Sequence, residues 1–323
     1  MKSPIFLSSL APFLNQFVQY KRALNRKYCA DAEVLRLFDR YIHSHNIAGW
    51  LAIDSLVIDD FLRSHPRRVS PRSYNHLLGT VHRFFAFAVM QEWIERNPVT
   101  ASPRSETAAR IPYLFDLDAA KRLLAVARSF PERSMARNRG LVYETIFALL
   151  YGLGLRVGEV VRLTLADVDF TRDLLFIREA KFQKNRIVPL GPNLARRLKR
   201  YVEERHGCNP APERPLFSFT KRGCIHVGTI SQTFHTLLPR LQLQIPPGVS
   251  PPRLHDLRHS FAVATLLRWY RQGIDPNCRL MHLATILGHV DPNSTAVYLT
   301  ITEELLNQAA RRFQVLAPKG GVQ

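Results

Sequence analysis

Acidic residues are scarce in this sequence. Only 26 Asp and Glu stand against 45 Lys and Arg, a net charge of +19 over 323 residues, with an isoelectric point near 10.4. An excess of that size implies a polyanionic partner, nucleic acid before an anionic membrane surface. Cysteine is scarce as well. Cys29, Cys208, Cys224 and Cys278 lie far apart, without the paired spacing of a zinc site or a redox dithiol, so reduced thiols in a cytoplasmic protein are expected. No apolar run reaches the ~18 residues of a membrane span. The opening MKSPIFLSSLAPFL has one lysine and a short apolar stretch. It lacks a clean small-residue cleavage site and continues into the helical pattern NQFVQYKRALNRKY, so secretion is not expected. There is no Walker-type glycine loop and no carboxylate cluster fit for metal, which leaves no cofactor to expect. Internal repeats and low-complexity tracts are also missing.

What remains is an ordinary globular composition, 46% hydrophobic and 22% charged, long enough for two domains. Residues 1–98 read as helices and carry 13 basic against 8 acidic residues. Phe13, Phe17, Tyr20 and Leu24 recur at the spacing of one buried face. Residues 31–43 repeat the pattern behind Asp31 as N-cap, and a short helix runs from Ser55 to Arg63. A longer one opens with Ser70 as cap and Pro71 at the first helical position, and Asn97-Pro98 stops it. Residues 99–112, VTASPRSETAARIP, are polar and aperiodic and read as a linker. Residues 113–323 mix elements. DLDAAKRLLAVARSF and RNRGLVYETIFALLYGLG look helical, and DLLFIREAKFQKNRIVPL alternates on both sides of a polar turn, as a hairpin does. Three further helices follow, near 194–205, 259–271 and 279–287. The expected fold is mostly α with a small antiparallel sheet.

The second half holds a scattered polar set. In YGLGLRVGEVVRL, Gly152 and Gly154 end one helix and Arg156 opens the next, with Glu159 a turn on. An arginine at a glycine-rich helix start suits a phosphate, because helix N–H groups and guanidinium attract the same anion. Lys181 sits near the hairpin tip beside Lys184 and Arg186. HDLRH places His255 and Arg258 one turn apart, so both reach one small ligand, and Asp256 suits the positive end of the helix dipole. In LGHVDPNSTAVYLT, His289 follows Gly288, and Tyr298 comes nine residues later. Each feature alone has an ordinary explanation: a surface Arg–Glu pair, solubilising lysines, a capped helix, a buried tyrosine.

Taken in order, Arg156, Glu159, Lys181, His255, Arg258, His289 and Tyr298 resemble the signature of the tyrosine recombinase (lambda phage integrase) family. The resemblance covers nearly the whole chain. FFAFAVMQEWIERNPV is similar to the end of that family's helical core-binding domain. About thirty residues separate Arg258 from His289, more than in compact members. That spacing and the ending TEELLNQAARRFQ are similar to recombinases encoded by transposons.

The resemblance implies a two-domain DNA clamp, a core-binding domain over 1–98 and a catalytic domain over 113–323. It also implies site-specific strand exchange by transesterification. Tyr298 would be the nucleophile, with Arg156 and Arg258 clamping the non-bridging oxygens. His255 would accept the phenol proton, Lys181 would protonate the leaving 5′ oxygen, His289 would donate to the phosphate and Glu159 would orient its neighbours. His259 is assigned to structure. The product of attack is a 3′-phosphotyrosyl link that stores the ester energy, so no nucleotide is consumed. Candidate DNA contacts are Lys21, Arg22, Arg26, Lys27, Arg67, Arg68 and Arg72 in the first domain, and Lys221 and Arg222 in the second. The family works as a tetramer, here of identical chains or mixed with related recombinases, on double-stranded DNA. Residues 303–315, EELLNQAARRFQV, could dock on a neighbour. Two other readings are a type IB topoisomerase-like enzyme and a catalytically silent DNA-binding protein of the same fold.

Overall fold

The computed structural model describes residues 6–24, 28–64, 70–105, 110–133, 136–178, 185–207, 210–219, 223–289, 291 and 293–300. Two compact units divide the chain, residues 1–109 and 110–323. The fold is mostly helical with one small antiparallel sheet, as the periodicity predicts.

In the first unit, four helices enclose one aromatic-rich core: α1 (Ala11–Ala23), α2 (Cys29–Ser44), α3 (Ser55–Ser64) and α4 (Pro71–Met90). Ser70 caps α4 as predicted, its hydroxyl accepting from the Ser73 amide at 3.1 Å, with Pro71 at the first position. Three details differ from expectation. The buried face of α1 is Leu14, Phe17 and Val18, continued by Leu10, whereas Tyr20 and Leu24 lie in solvent. Both the 10-14-17-18 and the 13-17-20-24 stripes satisfy the helical repeat and share Phe17, so periodicity alone does not choose between them. Tyr20 instead stacks on Phe87 at the margin of the core. Asp31 is not a cap, because α2 begins two residues earlier. Its carboxylate accepts from Arg83 and Thr80, tying α2 to α4. Helix α4 ends at Met90, well before Asn97-Pro98. Glu92 takes a left-handed conformation, the Trp93 amide bonds back to the Ala88 carbonyl, and the indole turns into the core against Phe13 and Phe87.

Residues 99–105 stay with this unit: Val99 and Ala101 pack on its core and Arg104 exchanges backbone hydrogen bonds with the Asn75 amide. In the second unit, Ile111 bridges Val249. Residues 106–109 lie outside the described residues.

The second unit is built around α6 (Arg139–Leu153), which is buried on nearly every face, as a helix apolar all round must be. Helices α5 (Leu117–Arg128), α8 (Pro192–His206) and α10 (Asp256–Arg271) pack against it. Asp116 caps α5 through the Ala119 amide at 2.6 Å. Strands β1 (Val168–Asp169), β2 (Leu174–Ile177) and β3 (Arg186–Pro189) form the sheet, with Leu175 opposite Val188 and Ile177 opposite Arg186. The predicted hairpin is therefore present, and its tip lies outside the described residues. Helix α9 (Val227–Leu237), VGTISQTFHTL, is not anticipated from the sequence, because its β-branched and polar residues hide a buried stripe of Ile230, Thr233, Phe234 and Leu237. A satellite core joins α10 to α11 (Pro276–Leu287) through Leu266, Trp269, Leu283 and Leu287, and Tyr298 is part of it.

Candidate active site

Four separate segments of the second unit bring their polar ends together. The first is the turn between α6 and the short helix α7 (Val157–Val160). Gly154 ends α6 at φ +62°, where a Cβ would stand 2.5 Å from the Phe261 ring, so glycine is required twice over. The turn presents Arg156 as N-cap and Glu159 at the third helical position. Glu159 is buried, and four donors meet its carboxylate. Oε1 accepts from Arg156 Nη1 and Arg186 Nη1, both at 3.0 Å; Oε2 accepts from the Arg156 amide at 2.9 Å and Arg186 Nη2 at 2.8 Å. Burial favours the neutral acid, but the Arg186 and Arg156 donors and charges outweigh it and hold the carboxyl at about 2.

Arg186, on β3, is the second contributor. The sequence presents it as one of several hairpin cations. Its side chain is only 7% exposed, and besides its two bonds to Glu159 it donates from Nε to the Ile286 carbonyl at 2.8 Å. The strand register explains this: pairing with Ile177 aims Arg186 inward, and no residue pattern in the hairpin announces that.

The third segment is the start of α10. Arg258 is 1% exposed and donates to the carbonyls of Gly154 at 2.6 Å and Leu287 at 2.7 Å, joining the α6–α7 turn to the end of α11. Asp256, fully buried, accepts from the Arg253 amide at 2.8 Å and fixes the entry to the helix. The His255 ring stands perpendicular to that of His259, centroids 4.7 Å apart.

The fourth is the stretch after α11. Gly288 has φ +68°, and a Cβ there would lie 2.7 Å from Arg186 Nη1 and 3.3 Å from Arg156 Nη1. The Gly288 carbonyl accepts from Arg156 Nη2 at 3.0 Å. His289 contacts Thr295 Oγ1 through Nδ1 at 2.7 Å and lies parallel to the Tyr298 ring, 6.2 Å away. Tyr298 is 4% exposed. Burial raises its pKa above the usual phenol value, opposed by the charge and donor of Arg258 and the charge of Arg156. The imidazole on the phenol is that of His259, with Nδ1 3.1 Å from the hydroxyl, and not that of His255.

All three histidines are pushed down to about 4. Crowding by protein atoms is the main cause; neighbouring positive charges add to it, Arg258 for each and Arg253 for His255 and His259. Arg258 falls to about 10, chiefly through burial and then Arg156, and still carries its charge at neutral pH. Near pH 7 the site therefore holds charged Arg258, the Glu159 carboxylate, neutral imidazoles and a protonated phenol.

Of the residues singled out in the sequence, Arg156, Glu159, Arg258, His289 and Tyr298 converge, and His255 stands beside them at the solvent side. Lys181 lies outside the described residues, as do Arg26, Lys27, Arg67, Arg68, Lys221 and Arg222. In the first unit Arg72 is exposed, while Lys21 places its ammonium 5.2 Å from the Phe17 ring centre and 5.0 Å from that of Tyr20. Among the described residues there is no cluster able to hold a metal ion, and no helix long and apolar enough to cross a membrane.

The chain has parallels among known proteins. Residues 114–304 match the phage integrase family, and the chain belongs to it. Among its relatives are two Sinorhizobium fredii proteins named as integrase/recombinases. The protein y4rB is 37% identical, over 77% of this chain and 80% of its own length. Its counterpart y4rE is 32% identical, over 95% and 96%. The tyrosine recombinase XerA of Thermococcus kodakarensis is 30% identical over 76% of this chain and 77% of its own. Two solved structures share the fold. The Tn1549 transposon integrase in complex with a circular intermediate DNA has TM-score 0.68 at 15% identity, covering 96% of this chain and all of that one. A lambda integrase dimer bound to a core site has TM-score 0.62 at 19% identity, covering 88% and 96%.

Proposed function

We propose that this chain is a site-specific DNA recombinase of a mobile element, acting in the cytoplasm, which cuts and rejoins duplex DNA through a 3′-phosphotyrosyl intermediate. The observation that carries this reading is the Tyr298 phenol, buried in its own chain under the field of Arg258 and Arg156. A phosphodiester seated on those guanidiniums would lie against the phenol oxygen. In-line attack by that oxygen on phosphorus forms the phosphotyrosyl bond and breaks the bond to the 5′ oxygen, which takes its proton from Lys181. The two arginines stabilise the charge gathering on the non-bridging oxygens, a contribution of about 10²–10³ in rate for each fixed donor. His289, aligned by Thr295, donates a further hydrogen bond. Glu159 fixes the orientation of Arg156. The proton of the phenol passes to the imidazole pair His255–His259.

Both relatives named as integrase/recombinases and the DNA-bound solved structures support the reading. They also support double-stranded DNA as partner and an assembly of several chains, a tetramer, on two sites. A lambda integrase tetramer bound to a Holliday junction shares the fold at TM-score 0.62. The test is capture of DNA covalently attached to the protein in cells, followed by sequencing of the fragments. A nicked duplex of the recovered sequence should then form a denaturant-resistant adduct with the wild-type protein and none with Tyr298→Phe. No adduct from wild type removes the enzymatic reading, and relaxation of supercoiled plasmid lacking that sequence would favour a topoisomerase.

A further inference from the structure

The phenol of Tyr298 has two polar neighbours of opposite capability. Arg258 bears on the oxygen as a charged group that can only donate. The hydroxyl proton must therefore point elsewhere, and the acceptor within reach is His259 Nδ1 at 3.1 Å. His255 makes no hydrogen bond to the phenol among the described residues; its ring abuts His259 edge to face and is exposed to solvent. We propose that His259, resting on the tyrosine recombinase reading of this site, is the catalytic residue that takes the Tyr298 proton directly, with His255 as the second imidazole leading outward from it.

The step balances. Nδ1 of neutral His259 removes the phenol proton while the phenol oxygen bonds to phosphorus and the 5′ oxygen departs. In the reverse step the 5′ hydroxyl attacks, the tyrosine oxygen leaves, and the imidazolium returns the proton to it. Acceptance at Nδ1 fixes the tautomer, with the hydrogen on Nε2. The charged and titratable groups facing His259 are Arg253 from the preceding loop, His255 at the N-cap of α10, Arg258 on α10, and Tyr298. Crowding and these two arginines keep the ring neutral at pH 7 and make it a weak base in the DNA-free protein. A phosphodiester anion drawn to Arg258 and Arg156 cancels part of that positive field, so the substrate itself strengthens the base.

Two measurements test the proposal. Nitrogen NMR of histidine-labelled full-length protein should show His259 with Nδ1 unprotonated and its shift altered by Tyr298→Phe; a hydrogen on Nδ1 would make the ring a donor to the phenol and overturn the proposal. On the nicked duplex, His259→Asn keeps a polar atom near the phenol yet removes the base. Its cleavage rate should fall by about 10²–10⁴, with DNA affinity retained, and should climb with alkaline pH where the wild-type rate is level. A wild-type rate and profile in His259→Asn overturns the inference and leaves the recombinase reading intact, whereas no adduct from wild type overturns both. The tautomer measurement needs no variant of His259, so it decides even where His259→Asn does not fold.

Discussion

Replacing Glu159 with glutamine removes one charge and almost no volume from the point where Arg156 and Arg186 meet. All four hydrogen-bonding positions of the carboxylate receive donors, at 2.8–3.0 Å. A glutamine amide can accept on one side only; whichever way it turns, its NH₂ faces two donors. The magnitude follows from the proton equilibrium. The carboxyl is buried and held at about 2 against an ordinary 4.5, which corresponds to about 3 kcal/mol in favour of the ionised form. Removing one partner of a buried pair typically costs about 3–5 kcal/mol, which agrees. For a unit of this size, 3 kcal/mol lowers the melting temperature by roughly 6–12 °C. The assay is calorimetry of wild type and Glu159→Gln across pH. A depressed carboxyl stabilises the fold above its unfolded value and loses that contribution as pH falls through its folded value. The gap between the two proteins should thus be full at pH 7, shrink below about 4.5 and close near 2. A melting point within about 2 °C of wild type at pH 7 would refute the view that Glu159 holds the arginines together.

Arg258→Ala is expected to abolish cleavage of the nicked duplex while DNA affinity stays within about tenfold, measured by adduct formation and by equilibrium binding; a loss of affinity as large as the loss of cleavage counts against the clamp role. Gly288→Ala forces a left-handed residue and drives a methyl against Arg186, so it should cost about 1–3 kcal/mol in denaturant unfolding and slow cleavage as the Arg156 anchor shifts. Lys181→Ala should be restored by a substrate with a more acidic 5′ leaving group, and no rescue demotes Lys181 to a binding residue. His259 and His289 are held neutral, so unfolding takes up protons between pH 6.5 and about 4; stability is complete above 6.5 and should fall progressively through that window in denaturant titrations.

Much of the fold is legible because helical periodicity and caps are local properties. Ser70-Pro71 marks the start of α4 without help from the rest of the chain. Its end is different: no proline or glycine marks Met90 to Trp93, and the helix stops where Glu92 turns left-handed and the indole packs against Phe87. The site divides in the same way. Arg156, Arg258 and His289 stand out because each sits near a glycine or in a polar cluster that a packed helix does not need, and Tyr298 by its nine-residue offset from His289. Arg186 does not, and His259, though part of HDLRH, carries no sign there of its partner. Arg186 becomes a site residue only through the β2–β3 register, and His259 only because Tyr298 folds back onto α10. Both facts are tertiary: strand register and the fold-back of Tyr298 are not written in the residues on either side.

The charge balance of the site bears on why it needs three arginines. Arg156, Arg186 and Arg258 bring three positive charges and Glu159 one negative; the imidazoles and the phenol are neutral near pH 7. A phosphodiester carries one negative charge, and attack by a deprotonated phenol brings a second into the same small volume. The three arginines and Glu159 sum to +2, more than the single charge of the bound phosphodiester. Arg186 is the member whose charge Glu159 compensates at closest range, so in the proposed mechanism Arg156 and Arg258 are the ones to face the phosphate. Their carbonyl anchors at Gly288, Gly154 and Leu287 hold them there before DNA arrives, so little reorganisation is required when charge develops. Since the second charge appears only at the transition state, removing either guanidinium should depress the rate of cleavage far more than the affinity for DNA.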